Sequence, residues 1–216
     1  MNTVIVPFYN EKETLRSLCS EIEKYTDLII CVNDGSDDGG ELEIENLPKV
    51  ILVSHTENLG KGMAINTGIM RAIRLKADKV VIIDADFQHD IKYIPAIFEM
   101  LDKTDFVLTN RRQRLRMIWP HRILSNWLTS LILSKKLGVK ISDSQCGFRG
   151  YTGKTLKTIV PDEPGFEAET EMLIRAVKGG FNFATLDIPV LNRKSGKSKM
   201  QNWKTVKGFL NVIKKY

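Results

Sequence analysis

Hydrophobic and polar positions alternate between two periods over the first half of the chain. Asn2 to Val6 is a short run rich in β-branched residues stopped by Pro7, and Glu11 to Tyr25 then sets Leu15, Leu18 and Ile22 at helical spacing. The pattern recurs. Leu28 to Val32 predicts a strand ending in Asn33-Asp34-Gly35-Ser36, Val50 to Val53 a third strand, and Gly60 to Leu75 a helix with Ile65, Ile69, Ala72 and Ile73 inward. Lys79 to Ile83 is almost continuously apolar, as a parallel strand covered on both faces should be, and it ends abruptly in acid. A helix over Ile91 to Leu101 and a strand over Phe106 to Thr109 continue the alternation, which predicts an α/β protein with a doubly wound, mainly parallel sheet flanked by helices.

The second half is less regular. Ile118 to Lys136 reads as a partly amphipathic helix, Ser142 to Gly147 as a polar link, Phe166 to Lys178 as a helix and Phe183 to Val190 as a strand. The polar, basic stretch Asn192 to Asn202 is expected to be a mobile, functional loop. With 216 residues and 43% hydrophobic content, one sizeable core and a single domain are expected.

Composition narrows the class of protein. Cys19, Cys31 and Cys146 are odd in number and lack C-x-x-C spacing, so neither a disulfide frame nor a zinc site is expected, and the setting implied is reducing and cytoplasmic. No basic n-region with a long apolar stretch opens the chain, and no apolar run approaches the roughly 20 residues of a bilayer-spanning helix, so neither a secretory signal nor a membrane crossing is expected. The net charge is +6, and Arg111, Arg112, Arg114, Arg116, His121 and Arg122 crowd one segment that calls for an anionic partner. No nucleic-acid-binding motif accompanies them, which leaves ligand phosphates or a membrane surface.

Ligands of open α/β sheets bind beyond the carboxyl ends of the strands. Those ends carry Pro7, Tyr9, Asn10 and Glu11, then Asp34, Ser36 and Asp37, then Asp84, Asp86 and Gln88. Asp84-Ala85-Asp86 alone is a short motif that solvated turns also produce, but four apolar residues, Val80 to Ile83, carry it to the rim of a buried sheet. Carboxylates with a neutral amide oxygen suit a hard divalent cation, Mg²⁺ or Mn²⁺, which can stabilise charge developing on a leaving phosphate.

Three segments occur in order: Val4-Ile5-Val6-Pro7-Phe8-Tyr9-Asn10-Glu11, Asn33-Asp34-Gly35-Ser36-Asp37-Asp38, and Asp84-Ala85-Asp86-Phe87-Gln88-His89. Together they resemble glycosyltransferase family 2, and within it the branch that glycosylates polyprenyl (dolichyl) phosphate with mannose or glucose. The resemblance covers nearly the whole chain. It implies a GT-A fold, a nucleotide-sugar donor and a single inverting displacement, with residues 1–110 as the nucleotide-sugar-binding half and 111–216 as the acceptor-binding half. Carried over by residue, Pro7, Tyr9, Glu11, Val32 and Asp34 would line the base and ribose pocket. Asp84, Ala85 and Asp86 would contact the diphosphate, Asp86 and Gln88 would hold the metal, and Asp84 could add a further ligand. Arg111, in Thr109-Asn110-Arg111, would sit near the donor sugar and phosphates.

On the acceptor side, Asp143-Ser144-Gln145-Cys146-Gly147-Phe148-Arg149 and the helix start with Glu169 and Glu171 resemble family segments, and Arg193 and Lys199 match a basic pair that would clamp phosphate. This chain has Asn33 where the family often has Asp. It ends at Tyr216 where some relatives continue into membrane-spanning helices, so a soluble, peripheral or truncated form is expected. The stretch Arg114 to Lys136 interleaves Trp119, Trp127 and leucines with Arg and Lys, a composition that suits either packing on the domain or a membrane interface. An ionised phosphate acceptor needs no strong general base, whereas a hydroxyl acceptor does, with Asp143 and Glu169 as candidates and His89 and His121 behind them.

The combined expectation is an inverting, metal-dependent transfer of a hexose from a GDP- or UDP-sugar to a polyprenyl phosphate, peripherally at the cytoplasmic face of a membrane. Transfer to a glycan hydroxyl is the alternative among enzymes. A catalytically idle nucleotide-sugar-binding subunit is the alternative of another class, and the intact acidic cluster argues against it. A nucleotidyltransferase is disfavoured because no Gly-rich pyrophosphate loop follows the first strand.

Overall fold

The computed structural model describes residues 1–111, 120–191 and 202–216. Strands β1 (Asn2–Phe8), β2 (Leu28–Asn33), β3 (Val50–Ser54), β4 (Lys79–Ile82), β5 (Phe106–Arg111), β6 (Arg149–Thr152) and β7 (Phe183–Ile188) form one sheet in the order β3-β2-β1-β4-β6-β5-β7. All neighbours are parallel except β6, which runs antiparallel to both β4 and β5. The sheet is therefore mainly parallel, with one reversed strand that the hydrophobic pattern did not predict.

Side chains of β1 alternate between two cores. Val4, Val6 and Phe8 pack with Leu15, Leu18 and Ile22 of α1 (Lys12–Ile22) and with Ile94, Ile97 and Phe98 of α3 (Ile94–Met100). Ile5 points the other way, to Ala64, Ile65 and Ile69 of α2 (Lys61–Arg74). That second core also takes in Leu133 of α4 (Pro120–Leu137), Leu156 of α5 (Leu156–Ile159), Met172 and Leu173 of α6 (Ala168–Lys178), and Val212 of α7 (Asn202–Lys215). A strand buried on both faces has no polar side to show, hence its unbroken apolar run. Among the described residues no helix is long and apolar enough to cross a membrane.

Pro7 does not end β1, which runs on to Phe8, but it does end one ladder. The Ile83 N–H donates to Ile5 O at 3.1 Å, and the next rung towards β4 would need an N–H from residue 7. On its other edge β1 stays paired with β2 as far as Phe8 opposite Asn33. The sheet thus opens between β1 and β4, where the strand order also reverses direction, the position at which α/β sheets receive ligands.

Candidate active site

The segment after β4 continues its alternation. Ala85 and Phe87 turn into the core beneath α1, which leaves Asp84 and Asp86 on the other side. Two bonds fix its course. Thr14 Oγ1, in the first turn of α1, donates to Ala85 O at 2.9 Å, and the Gln88 N–H donates to Asp86 Oδ1 at 3.0 Å across a turn in which Phe87 takes a φ of 57°.

Asp84 belongs to an ionic triad that sequence reading did not foresee. Lys61 Nζ lies 2.6 Å from Asp84 Oδ1 and 2.7 Å from Glu169 Oε1. Burial opposes the charge of Lys61, yet the two carboxylates hold its pKa above the ordinary lysine value. Burial opposes the Asp84 carboxylate as well, and Lys61 foremost outweighs it, keeping Asp84 below the usual carboxylate range. Gly147 sits between the acids: a Cβ there would stand 2.7 Å from Glu169 Oε1 and 2.8 Å from Asp84 Oδ2, so a side chain would prise them apart. His89 Nε2 is 4.0 Å from Asp84 Oδ2. Burial lowers its pKa to about 4, with Asp84 pulling the other way and Arg111 and Lys61 adding to the fall, so the imidazole is neutral at pH 7.

A second charged group lies on the far side of the crevice. Arg111, the last residue of β5, grips Asp143 with two parallel bonds, Nε to Oδ2 at 2.7 Å and Nη2 to Oδ1 at 3.0 Å. Asn126 of α4 donates to Asp143 Oδ1 at 2.9 Å, and Asp143 is buried. Below it, the buried Arg149 guanidinium donates to Cys146 O at 2.7 Å, to Ser144 O at 2.6 Å and to Glu169 O. One buried cation therefore ties the Asp143–Gly147 loop to the start of α6.

The residues expected at the nucleotide pocket are placed unevenly. Pro7 and Glu11 are buried and Tyr9 is half-buried where β1 passes into α1. The Val32 side chain lies fully buried in the core under α2, so it could line the pocket only through its backbone. Asp34 is engaged by the protein, accepting from the Leu59 and Gly60 N–H groups at 3.0 and 2.9 Å and lying 2.8 Å from His55 Nδ1. It thereby holds the turn into α2. In that turn Gly60 has a φ of 99° and a Cβ would meet Pro164 O at 2.4 Å, so only glycine fits. Arg193 and Lys199, with Arg112, Arg114 and Arg116 of the basic cluster, lie outside the described residues.

Lys61, Asn126 and the bracing role of Arg149 escaped the sequence reading. For Lys61 a signal existed: a lysine opening a helix stands at the positive end of the dipole, and a breach of a local rule marks a place where something else compensates. As to a metal, among the described residues no three His, Cys, Asp or Glu side chains are gathered as a ready-made site. The donors available, Asp84, Asp86 and Gln88, are all oxygen. They fit a hard cation held by one or two carboxylates and completed by substrate phosphates.

The mainly parallel sheet is that of the GT-A fold, with Asp84 and Asp86 following the strand at its switch point. Among solved structures, glucosyl-3-phosphoglycerate synthase from Mycobacterium tuberculosis, crystallised with Mn²⁺, UDP and glucosyl-3-phosphoglycerate, shares this fold with a TM-score of 0.74 and 20% identity over 99% of this chain and 77% of that one. The sequence profile of glycosyl transferase family 2 matches residues 3–159. Undecaprenyl-phosphate mannosyltransferase from Micrococcus luteus is 28% identical over 222 residues, which cover 97% of this chain and 91% of that protein. Dolichol-phosphate mannosyltransferase from Saccharomyces cerevisiae is 30% identical over 193 residues, 80% of this chain and 70% of that protein. The chain belongs to glycosyltransferase family 2, and it is a glycosyltransferase.

Proposed function

We propose that the protein transfers a hexose from a GDP- or UDP-sugar to the phosphate of a polyprenyl phosphate, working at the cytoplasmic face of a membrane. The names of the similar proteins support a lipid-phosphate acceptor. The observation that carries the reading is the pairing of both general-base candidates: Asp143 is bound by Arg111 and Asn126, and Glu169 by Lys61. A hydroxyl nucleophile needs a base in the reaction, whereas a phosphate oxygen is already ionised at neutral pH. A site whose carboxylates are committed to cations suits the phosphate.

In the proposed reaction an acceptor phosphate oxygen forms a bond to the anomeric carbon on the face opposite the nucleotide. The bond from that carbon to the diphosphate oxygen breaks, and the nucleoside diphosphate leaves with the electron pair. Asp84, Asp86 and Gln88 would hold Mg²⁺ or Mn²⁺, which when bound supplies Lewis-acid neutralisation of the leaving group. Lys61 keeps Asp84 ionised, and Arg111 presents a guanidinium to donor or acceptor phosphate with its plane set by Asp143. Tyr9, Glu11 and Asp34 belong to the nucleotide side, and Arg193 and Lys199 supply further phosphate contacts.

Asp86→Asn tests the centre. The amide oxygen can still accept from the Gln88 N–H, so the unfolding midpoint should hardly move while transfer to a short-chain polyprenyl phosphate falls by about 100-fold or more. Unchanged transfer in the variant, or transfer by the parent chain to a glycan hydroxyl alone, overturns the reading.

A further inference from the structure

Glu169 and Glu171 stand two residues apart on α6, roughly 200° around its axis, so they face opposite ways. Glu169 meets Lys61 directly. Glu171 is fully buried, and its bonds lead away from the crevice: Oε2 accepts from the Asp162 and Glu163 N–H groups, both at 2.9 Å, while Oε1 accepts from the Tyr216 hydroxyl at 2.7 Å and lies 2.8 Å from Arg175 Nη2. A buried carboxylate is costly to keep, and the reaction described above does not use this one.

What Glu171 holds is the seat of Lys61. The segment 160–166, which links α5 to α6, lies against the start of α2: Asn66 Nδ2 donates to Pro161 O at 2.7 Å, and the Gly62 N–H donates to Pro164 O at 2.7 Å. The fit is close. A Cβ on Gly62 would stand 2.0 Å from Glu163 O, and Gly60 packs on Pro164, so the backbone is pinned on both sides of Lys61. Farther along the same segment, the Phe166 ring centroid lies 5.5 Å from Lys61 Nζ. The stem of a lysine is long and flexible, so the place of its ammonium depends on what fixes the backbone beneath it.

We propose that Glu171 is a positioning residue for Lys61, fixing through the 160–166 loop the place at which the ammonium meets Asp84 and Glu169. Helix α6 thus serves Lys61 twice. Glu169 takes the ammonium, and Glu171 sets the backbone that carries it. The need for a carboxylate follows from its neighbours, because two N–H groups face one oxygen and Arg175 with the Tyr216 hydroxyl faces the other, that hydroxyl already accepting from Arg175. A glutamine would turn its NH₂ on donors whichever way it lay. The consequence for turnover rests on the sugar transfer proposed above, where Lys61 acts through Asp84.

The test is a double-mutant cycle on turnover, run well below the unfolding midpoint of every variant. Glu171→Gln should lower kcat/KM for the donor about tenfold in the parent, and less than about twofold in a Lys61→Met background, where the position it sets is no longer used. A glutamate that only stabilised the fold would cost the same factor in both backgrounds. That additivity overturns the proposal, as does an unchanged kcat/KM in Glu171→Gln. Gly62→Ala presses on the same loop from α2 with Glu171 intact, and it serves where Glu171→Gln does not fold: its loss should likewise shrink without Lys61, and equal losses in both backgrounds overturn the proposal. If the parent transfers no sugar to a polyprenyl phosphate the functional reading fails, and the same cycle read by calorimetric binding of UDP or GDP with Mn²⁺ still decides the role of Glu171.

Discussion

The two banks of the crevice are built from different materials. On the β1–β2 bank, short loops are laced by bonds between neighbouring turns: the Asn10 N–H to Ser36 Oγ, the Asp37 N–H to Asn10 Oδ1, and the Lys12 N–H to Asp38 Oδ2. On the β5–β6 bank, charges meeting buried partners do the holding, with Arg111 on Asp143 and Arg149 on three carbonyls, and Lys61 comes from α2 to pair with Glu169. Partly exposed turn bonds are individually weak, and water can replace them. Buried charges are costly to strand, because a lone survivor has no solvent to turn to. The first bank should therefore yield gradually to substitution, and the second abruptly.

Arg149→Met strikes the second bank hardest. It leaves three buried carbonyls without their donor, each costing about 1–3 kcal/mol, and urea unfolding should show a loss of at least about 3 kcal/mol. A loss under about 1 kcal/mol would erase the contrast. Lys61→Met strands Asp84 and Glu169 on either side of Gly147, with an expected cost of about 2–4 kcal/mol. Adding Glu169→Gln should recover part of it, and a double-mutant cycle should return a coupling of about 1–3 kcal/mol. Strict additivity would mean that the three do not act together.

The remaining two predictions concern the first bank. Cys31 Sγ lies 3.5 Å from Cys19 Sγ, and the hydrogen bond to Cys19 together with burial lifts the Cys31 thiol well above its ordinary pKa. In the unfolded chain that thiol ionises from about pH 8.5 upward, whereas in the folded chain it keeps its proton. The unfolded state then binds fewer protons, so stability falls as pH rises, by at most about 1.4 kcal/mol per pH unit. Cys31→Ala should flatten the slope of the urea midpoint between about pH 9 and 10 relative to the parent. The smallest effect belongs to Ser36→Ala, which removes one turn bond and should cost about 0.5–1.5 kcal/mol in thermal unfolding. A larger loss would put this bank on the same footing as the other.

The contrast also explains what was readable from the residues. The strands β1, β2 and β4 announced themselves as apolar runs because both faces are buried, and the acids that follow them stand out by abruptness alone. Strand β6 did not, since Arg149 and Gly150 break its run. Burying Arg149 becomes favourable only once the Ser144, Cys146 and Glu169 carbonyls have gathered round it, and no local window contains that information. Lys61 was overlooked for the same reason: Glu169 lies 108 residues away. Val32 was named without the direction of its side chain, which strand alternation sends into the core. Helix α7 went unread although Val206, Phe209, Val212 and Ile213 recur at helical spacing in its sequence.

Pro7 gives the crevice a property that its charged residues cannot. A sheet edge tends to close, rung by rung, whenever donors and acceptors come into register, and a mouth lined only by attractive groups would compete with that zipping. At position 7 the ring nitrogen has nothing to donate, so β1 and β4 part company there whatever the pH, the ionic strength or the ligand. Vacancy is thus written into the backbone, ahead of any side-chain chemistry. Wherever along the strand that imino acid is moved, the width of the opening should move with it.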